Sequence, residues 1–131
     1  MSLNKINNFT VRFANVNGTG SASSNFMFAK SIFRMGVPVT PKNIFPSNIQ
    51  GLPTWYDVRV SEKGYLGRKE GVDLLVCVNP QSMAKDIESV SSGGYFLYDN
   101  TKPLHKDFIR EDITYIGIPL TGICNKEYTD P

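Results

Sequence analysis

The fold is decided by residues 9–36, which read FTVRFANVNGTGSASSNFMFAKSIFRMG. Apolar and polar side chains alternate over residues 9–14, which predicts a strand that ends near Asn15. Small and amide-bearing residues follow and predict a turn. Apolar side chains then recur at positions 22, 26, 29 and 33 and Gly36 can serve as a C-cap, so we expect a helix over residues 21–35. Strand, glycine turn and helix in this order predict the start of a βαβ unit.

The rest of the chain continues the alternation of strands and helices. Strands are predicted at residues 37–40, 55–60, 73–78, 95–98 and 113–118, a second helix at 81–90, and an antiparallel return at 65–68. Pro38 and Pro41 either restrict the second strand to a sheet edge or cut it short, and residues 41–53 predict a loop. The whole pattern predicts a three-layer α/β fold in which a mostly parallel sheet carries helices on both faces.

The number of helices is small for such a sheet. The 131 residues suit a single domain, residues 1–131, and two substantial helices are too few to cover both of its faces. A partner surface could cover the remainder, or the chain could be a piece of a longer polypeptide. We favour the second interpretation, because the chain ends soon after a strand that needs cover.

Composition limits the possible functions. Hydrophobic residues make up 40% and charged residues 20%, which is ordinary for a soluble globular domain, and no apolar run is long enough to span a membrane. The polar start of the chain lacks the apolar core of a secretory signal, so a cytoplasmic location is expected. Cys77 and Cys124 are too few to hold a metal or an iron–sulfur cluster, and Cys77, inside an apolar run, is expected to be buried.

Charge and glycine content draw attention to the first turn. Residues 1–56 contain five basic side chains and no carboxylate, which favours an anion, although chance clustering is an equally good explanation. A glycine turn that opens a helix presents free N–H groups to a phosphate. The turn lacks the third glycine and the later acidic residue of a dinucleotide site. Gly18 and Gly20 could equally serve only a tight turn and close packing.

Other candidate residues are fewer. The loop before Trp55 is long, so it could contact a ligand or partner, or it could be a connector stiffened by prolines. Asp99 and Asn100 follow a predicted strand at its carboxyl end, where α/β proteins bind ligands, but both are also common turn residues. His105 is the single histidine and is expected to be exposed, and no carboxylate–His–Ser spacing surrounds it, so no catalytic residue is assigned. No nucleic-acid site is assigned either, because the sequence lacks dense lysine and arginine interleaved with aromatic residues.

Several motifs together resemble a known family. They are FANVNGTGSAS (residues 13–23), FRMGVPVT (33–40), FPSNIQGLPTWY (45–56), VDLLV (72–76) and SGGYFLYD (92–99). They resemble the gamma-type domain of 2-oxoacid:acceptor (ferredoxin) oxidoreductases. The likeness is to the branch in which this domain forms the N-terminal part of the alpha subunit, as in 2-oxoglutarate:ferredoxin oxidoreductases. Free-standing gamma subunits have a glycine-richer first turn, whereas this chain has Asn15 and Asn17.

The resemblance implies an activity for the complete enzyme. It would decarboxylate a 2-oxoacid oxidatively with coenzyme A and pass electrons to ferredoxin, with thiamine diphosphate and the iron–sulfur cluster on other domains or subunits. The domain would contribute to the coenzyme A side and to subunit contacts, and would be inactive alone; a purely structural role is the alternative. The resemblance assigns Asn17, Gly18, Thr19, Gly20 and Ser21 to the phosphate-side turn, and Ser47, Asn48, Gln50 and Gly51 to a loop that faces the active-site domain.

Overall fold

One sheet and three helices make up the described part of the chain, which comprises residues 8–16, 21–44, 51–62 and 71–127 of a computed structural model. The strands are β1 (Asn8–Val16), β2 (Val39–Ile44), β3 (Pro53–Ser61), β4 (Val72–Cys77), β5 (Val90–Asp99) and β6 (Thr114–Ile118). The helices are α1 (Ser21–Arg34), α2 (Met83–Ser89) and α3 (Leu120–Glu127). Short 3₁₀ turns lie at Pro80–Ser82 and Lys106–Phe108.

The strands pair in the order β2-β3-β1-β4-β5-β6. β1 is parallel to β4, β4 to β5 and β5 to β6, whereas β3 is antiparallel to both β1 and β2. Among the described strands, β3 alone therefore runs against the others, and the predicted mostly parallel α/β sheet is confirmed. β2 lies at the edge of the sheet, as Pro38 and Pro41 predicted, because proline has no N–H to donate to a second neighbour.

The two predicted helices pack on opposite faces of the sheet. Successive residues of a strand point to opposite faces, and Trp55 packs in the core beneath α2 whereas Tyr56 packs in the core beneath α1. The principal contacts of α1 are with β1, β2 and β3, and those of α2 are with β4 and β5. Two residues of the α2-side core, Leu75 and Phe96, are fully buried. Helices on both faces confirm the three-layer arrangement.

Part of the sheet is only thinly covered. On the face that carries α1, the half formed by β4, β5 and β6 presents Leu74, Val76 and Leu97, which are partly exposed, and Ile116, which is 37% exposed. The principal contacts of α1 end at β1, and α2 lies on the other face. In the described part of the chain, cover on this face is therefore incomplete, as expected from two substantial helices.

Some predicted boundaries were wrong. β2 continues through Ile44, so residues 41–44 are strand rather than loop, because pairing with β3 outweighs their polar composition. β5 begins at Val90 instead of Tyr95, because Val90 already pairs with Val72 of β4, and α2 is correspondingly shorter. α3 was not predicted from the sequence. The return predicted at residues 65–68 lies outside the described residues.

Candidate functional site

The helices that follow the neighbouring strands β1 and β4 lie on opposite faces of the sheet. α1 follows β1 onto one face, whereas α2 follows β4 onto the other. The neighbouring parallel strands β1 and β4 thus end at a topological switch point, the position at which open α/β sheets leave a crevice for ligands. We therefore take the carboxyl edge of β1 and β4 as the candidate site.

Backbone and amide hydrogen bonds fix this edge. The N–H groups of Val78 and Asn79 donate to the carbonyl oxygen of Ala14 at 2.9 and 3.2 Å. The fully buried Asn79 side chain donates from Nδ2 to the Asn15 carbonyl at 3.2 Å and accepts at Oδ1 from the Gln81 N–H at 3.0 Å. A buried amide that makes these contacts resists movement. The point at which β1 leaves the sheet is therefore held in place.

The start of α1 has the electrostatics of an anion site. α1 begins at the partly exposed Ser21 and has no acidic residue in its first turn. The first N–H groups of a helix lack partners within the helix and carry a partial positive charge. Asn25, one turn further on, is 7% exposed, and its Nδ2 has no hydrogen-bond partner within the described ranges. The first turn of α1 thus offers backbone N–H groups that have no partner within the helix, and it carries no competing carboxylate.

Register places the described flanks of both predicted segments at this same edge. Val16, the last residue of β1, pairs with Pro53, the first residue of β3, and Ile44 at the end of β2 pairs with Trp55. The segment after β1 and the segment between β2 and β3 therefore leave the sheet side by side. Gly51 stands just before β3 with a φ of 90°, in the left-handed region that favours glycine.

The structure describes only the flanks of the predicted site. Ser21 is the first residue of α1, and Gly51 precedes β3. The remaining predicted residues lie outside the described residues: Asn17, Gly18, Thr19, Gly20, Ser47, Asn48 and Gln50. Their assignment to the phosphate-side turn and the active-site loop remains a prediction.

A cavity that sequence reasoning missed lies further along the same edge. It has a volume of about 480 Å³ and is lined at the ends of β4 and β5 by Cys77, Val78 and Tyr98. Cys77 is buried, as predicted, and burial raises the pKa of its thiol to about 12. Such a thiol stays protonated and is a poor nucleophile. The predicted exposure of His105, at the rim of this cavity, is confirmed.

Asp99 ties β5 to the last helix. Its Oδ1 accepts from the N–H and hydroxyl of Thr101 at 3.0 and 2.6 Å, and its Oδ2 accepts from the Thr121 N–H at 3.1 Å and from the Thr121 hydroxyl. Partial desolvation raises the pKa of Asp99, but these hydrogen bonds outweigh it and hold the pKa well below its ordinary value. Of the two roles open to Asp99, the structure shows the turn and capping role.

A buried polar cluster also supports the site from the α2 face. The Asp86 carboxylate, 2% exposed, accepts from Ser82 Oγ at 2.6 Å and from Trp55 Nε1 at 2.8 Å. Burial raises the pKa of Asp86, although both donors and the charge of Arg12 oppose the shift. Arg12 itself makes a two-bond ion pair with Asp57, at 2.7 and 2.9 Å. These contacts fix α2 and β3 relative to β1.

Comparison with known families identifies this arrangement. A family model described as pyruvate ferredoxin/flavodoxin oxidoreductase matches residues 10–129. The chain belongs to this family. This match confirms the resemblance of the sequence motifs to 2-oxoacid:ferredoxin oxidoreductases. No curated protein matches its sequence.

Solved structures share the fold of this oxidoreductase domain. The 2-oxoglutarate:ferredoxin oxidoreductase from Magnetococcus marinus, with 2-oxoglutarate, coenzyme A and succinyl-CoA bound, is 24% identical, with a TM-score of 0.81 over 93% of this chain and 22% of its own. Subunit PORC of the pyruvate oxidoreductase from Thermotoga maritima is 20% identical, with a TM-score of 0.70 over 93% and 67%. The gamma subunit of the keto/oxoacid ferredoxin oxidoreductase from Geobacter sulfurreducens is 17% identical, with a TM-score of 0.64 over 91% and 66%.

The oxidoreductase domain thus spans about two thirds of two of these chains and less than a quarter of the third.

Within the described residues, no group of three or more His, Cys, Asp or Glu side chains is placed to hold a metal ion. The helices of those same residues include none with the length and apolarity to cross a membrane.

Proposed function

We propose that this chain is the gamma-type domain of a 2-oxoglutarate-type ferredoxin oxidoreductase, forms the N-terminal part of its alpha subunit, and contacts coenzyme A at the start of α1. The complete cytoplasmic enzyme would convert a 2-oxoacid and coenzyme A into an acyl-CoA and carbon dioxide, with reduction of ferredoxin. Other domains or subunits would bind thiamine diphosphate and the iron–sulfur cluster. The isolated domain would be inactive.

The observation that carries the proposal is the shared edge of the two predicted segments. The chain leaves β1 at Val16 and enters β3 at Pro53 as direct register partners, and α1 starts at the same edge. Phosphate groups would accept hydrogen bonds from the first N–H groups of α1 and from the Ser21 hydroxyl, helped by the absence of carboxylates in that turn. The 2-oxoglutarate type is supported by the TM-score of 0.81 to an enzyme of that type.

The alternative role is purely structural, with no ligand contact. The tryptophan that follows the long loop has such a structural role. The Trp55 indole donates to the buried Asp86 carboxylate, so this side chain is part of the fold itself. Under the structural alternative, changes at the start of α1 alter assembly or stability but leave the dependence on coenzyme A unchanged.

A charge placed at the start of α1 separates the two roles. In the assembled enzyme, Ser21→Glu puts a carboxylate beside the expected phosphate, and we expect the KM for coenzyme A to rise roughly tenfold, about 1.4 kcal/mol. The KM for the 2-oxoacid should not change. Thr114→Glu is the matched control, because Thr114 is exposed at the start of β6, far from the start of α1. An unchanged KM for coenzyme A in Ser21→Glu refutes the phosphate contact.

A further inference from the structure

The outer surface of α1 is unusually apolar for an exposed helix. Only Asn25, Ala29 and Ile32 of this helix are buried. Large apolar side chains are exposed around the rest of it, with exposed fractions of 53% for Phe26, 68% for Met27, 41% for Phe28 and 66% for Phe33. Surface helices normally carry polar side chains on the side away from the core. Apolar side chains clustered in this way mark an interaction surface.

Helical spacing gathers several of these side chains into one patch. Phe26, Lys30 and Phe33 lie at i, i+4 and i+7, and Met27 and Arg34 at i and i+7. The five residues therefore form one exposed stripe of α1, which runs beside its buried face. We call these five residues the outer face of α1. Aromatic, methionine and arginine side chains are the types enriched at the centres of protein interfaces.

A shallow groove extends the outer face towards the sheet edge. Phe26 and Met27 line it from α1, and Pro41 and Asn43 line it from β2. β2 is the edge strand at that end of the sheet and carries the exposed Lys42. The surface available to a partner is therefore wider than the helix alone.

Charge indicates what kind of partner fits. Lys30 and Arg34 are both exposed on the outer face, and residues 1–56 of the sequence contain no carboxylate. A partner must therefore supply its own carboxylates to pair with these cations. A second copy that docked symmetrically through the same face would bring Lys30 and Arg34 against the same two cations, which disfavours a symmetric dimer. Two cations are also fewer than the polybasic clusters that bind anionic membranes.

We propose that the outer face of α1 docks onto an acidic, apolar surface of another domain or subunit of the same oxidoreductase. This inference rests on the proposed function, in which the chain is one part of a larger enzyme. In the Magnetococcus enzyme the matched region is 22% of its chain, so most of that polypeptide lies outside the shared fold and is available to cover such a face.

Chemical labelling tests whether the face is covered. Met27→Cys, in a Cys124→Ser background, is treated with a maleimide in the chain alone and in the assembled enzyme. Since Met27 is 68% exposed, we expect fast labelling of the chain alone and labelling at least tenfold slower in the assembly. Glu111→Cys, also at an exposed position, is the matched control and should label at similar rates in both. Equal rates for Met27→Cys overturn the proposal.

Charge reversal tests the acidic character of the partner. Lys30→Glu with Arg34→Glu should weaken assembly at least tenfold, and the difference from the unmodified chain should shrink at high salt. Lys102→Glu with Lys106→Glu, at exposed sites elsewhere, is the control. Circular dichroism confirms that each variant is folded. Unchanged assembly of the α1 variant refutes an acidic partner.

Two further measurements test whether a second copy of the chain or a membrane, rather than another part of the enzyme, covers the outer face of α1. Light scattering that shows a dimer of the chain alone, abolished by Phe33→Glu, would assign the face to a second copy. Co-sedimentation with phosphatidylserine vesicles, abolished by the same change, would assign it to a membrane surface; either result overturns the proposal. If the assembly is active and depends on coenzyme A but Met27→Cys still labels rapidly, the docking proposal is refuted and the proposed function is not. If the unmodified assembly has no coenzyme A-dependent activity, the proposed function is refuted.

Discussion

Replacing Trp55 by phenylalanine should destabilise the fold by removing one donor from a buried carboxylate. Asp86 is 2% exposed and accepts from Trp55 Nε1 at 2.8 Å and from Ser82 Oγ at 2.6 Å. A hydrogen bond to a charged group contributes about 1.5–3 kcal/mol. Phenylalanine keeps most of the apolar contact, so we expect a loss of about 2 kcal/mol at pH 7. For a domain of this size that lowers Tm by roughly 6–10 °C.

The stability loss caused by Trp55→Phe should depend on pH, because it acts through the pKa of Asp86. Burial raises the pKa of Asp86 in the folded state above its ordinary value of 3.8, so the folded state binds the proton more tightly than the unfolded state. Stability from this group is therefore highest at low pH and falls as pH rises through the folded-state pKa. Without the Trp55 donor that pKa rises further. The deficit of the variant should be full at neutral pH and shrink as the carboxyl becomes protonated.

Urea denaturation of both proteins at pH 7 and at pH 3.8, the ordinary pKa of an aspartate, measures the effect. Ser82→Ala, which removes the other donor, is the matched comparison and should act in the same direction. In an Asp86→Asn background the pH-dependent part of the Trp55→Phe effect should disappear, because no charge remains to be buried. A loss below about 0.5 kcal/mol, or one that is independent of pH in the Asp86 background, would refute this account of the cluster.

Two other structural predictions concern the backbone and α3. Gly94→Ala places a Cβ 2.8 Å from the Ser91 carbonyl oxygen and 2.9 Å from that of Asp73, so thermal unfolding should show a loss of about 2–3 kcal/mol. Gly36→Ala meets nothing within 4 Å but holds a φ of 85°, so its loss should be only about 1 kcal/mol; equal losses would contradict the steric argument. Asp99→Asn should speed amide hydrogen exchange in α3 several-fold, because an amide cannot accept all the bonds from Thr101 and Thr121. Since the pKa of Asp99 is lowered, the wild-type protection should be full above the ordinary pKa of an aspartate, decline as pH falls below that value and be lost as pH falls through the lowered folded-state pKa; protection that does not decline between pH 5 and pH 2.5 would contradict this role.

Local sequence patterns sufficed where local interactions decide the structure. The alternation in residues 9–14 and the helical spacing of the next segment predicted β1 and α1 well, and Gly36 takes the positive φ expected of a C-cap. Prolines placed β2 at an edge correctly. In each case the deciding interaction lies within a few residues of the element that it forms.

Local sequence patterns did not predict the features whose structure depends on contacts between distant parts of the chain. α3 depends on Asp99, which accepts from the Thr121 N–H across 22 positions of the chain. Asn79 and Asp86 take their roles from partners on β1 and β3, and only the step from a buried strand to Asn79 and Pro80 gave a local signal of a turn. The candidate ligand edge could be predicted from the order of elements, but the alignment of Val16 with Pro53 required the register.

The proline-bearing rim at β2 has a consequence for behaviour at high concentration. A strand at the border of a sheet can recruit a strand from another molecule and start polymerisation. Pro41 removes one donor from β2, and at the opposite border β6 is only five residues long. Each edge strand of the described sheet is therefore poorly suited to pair with a strand of another molecule, which opposes aggregation through the sheet edges.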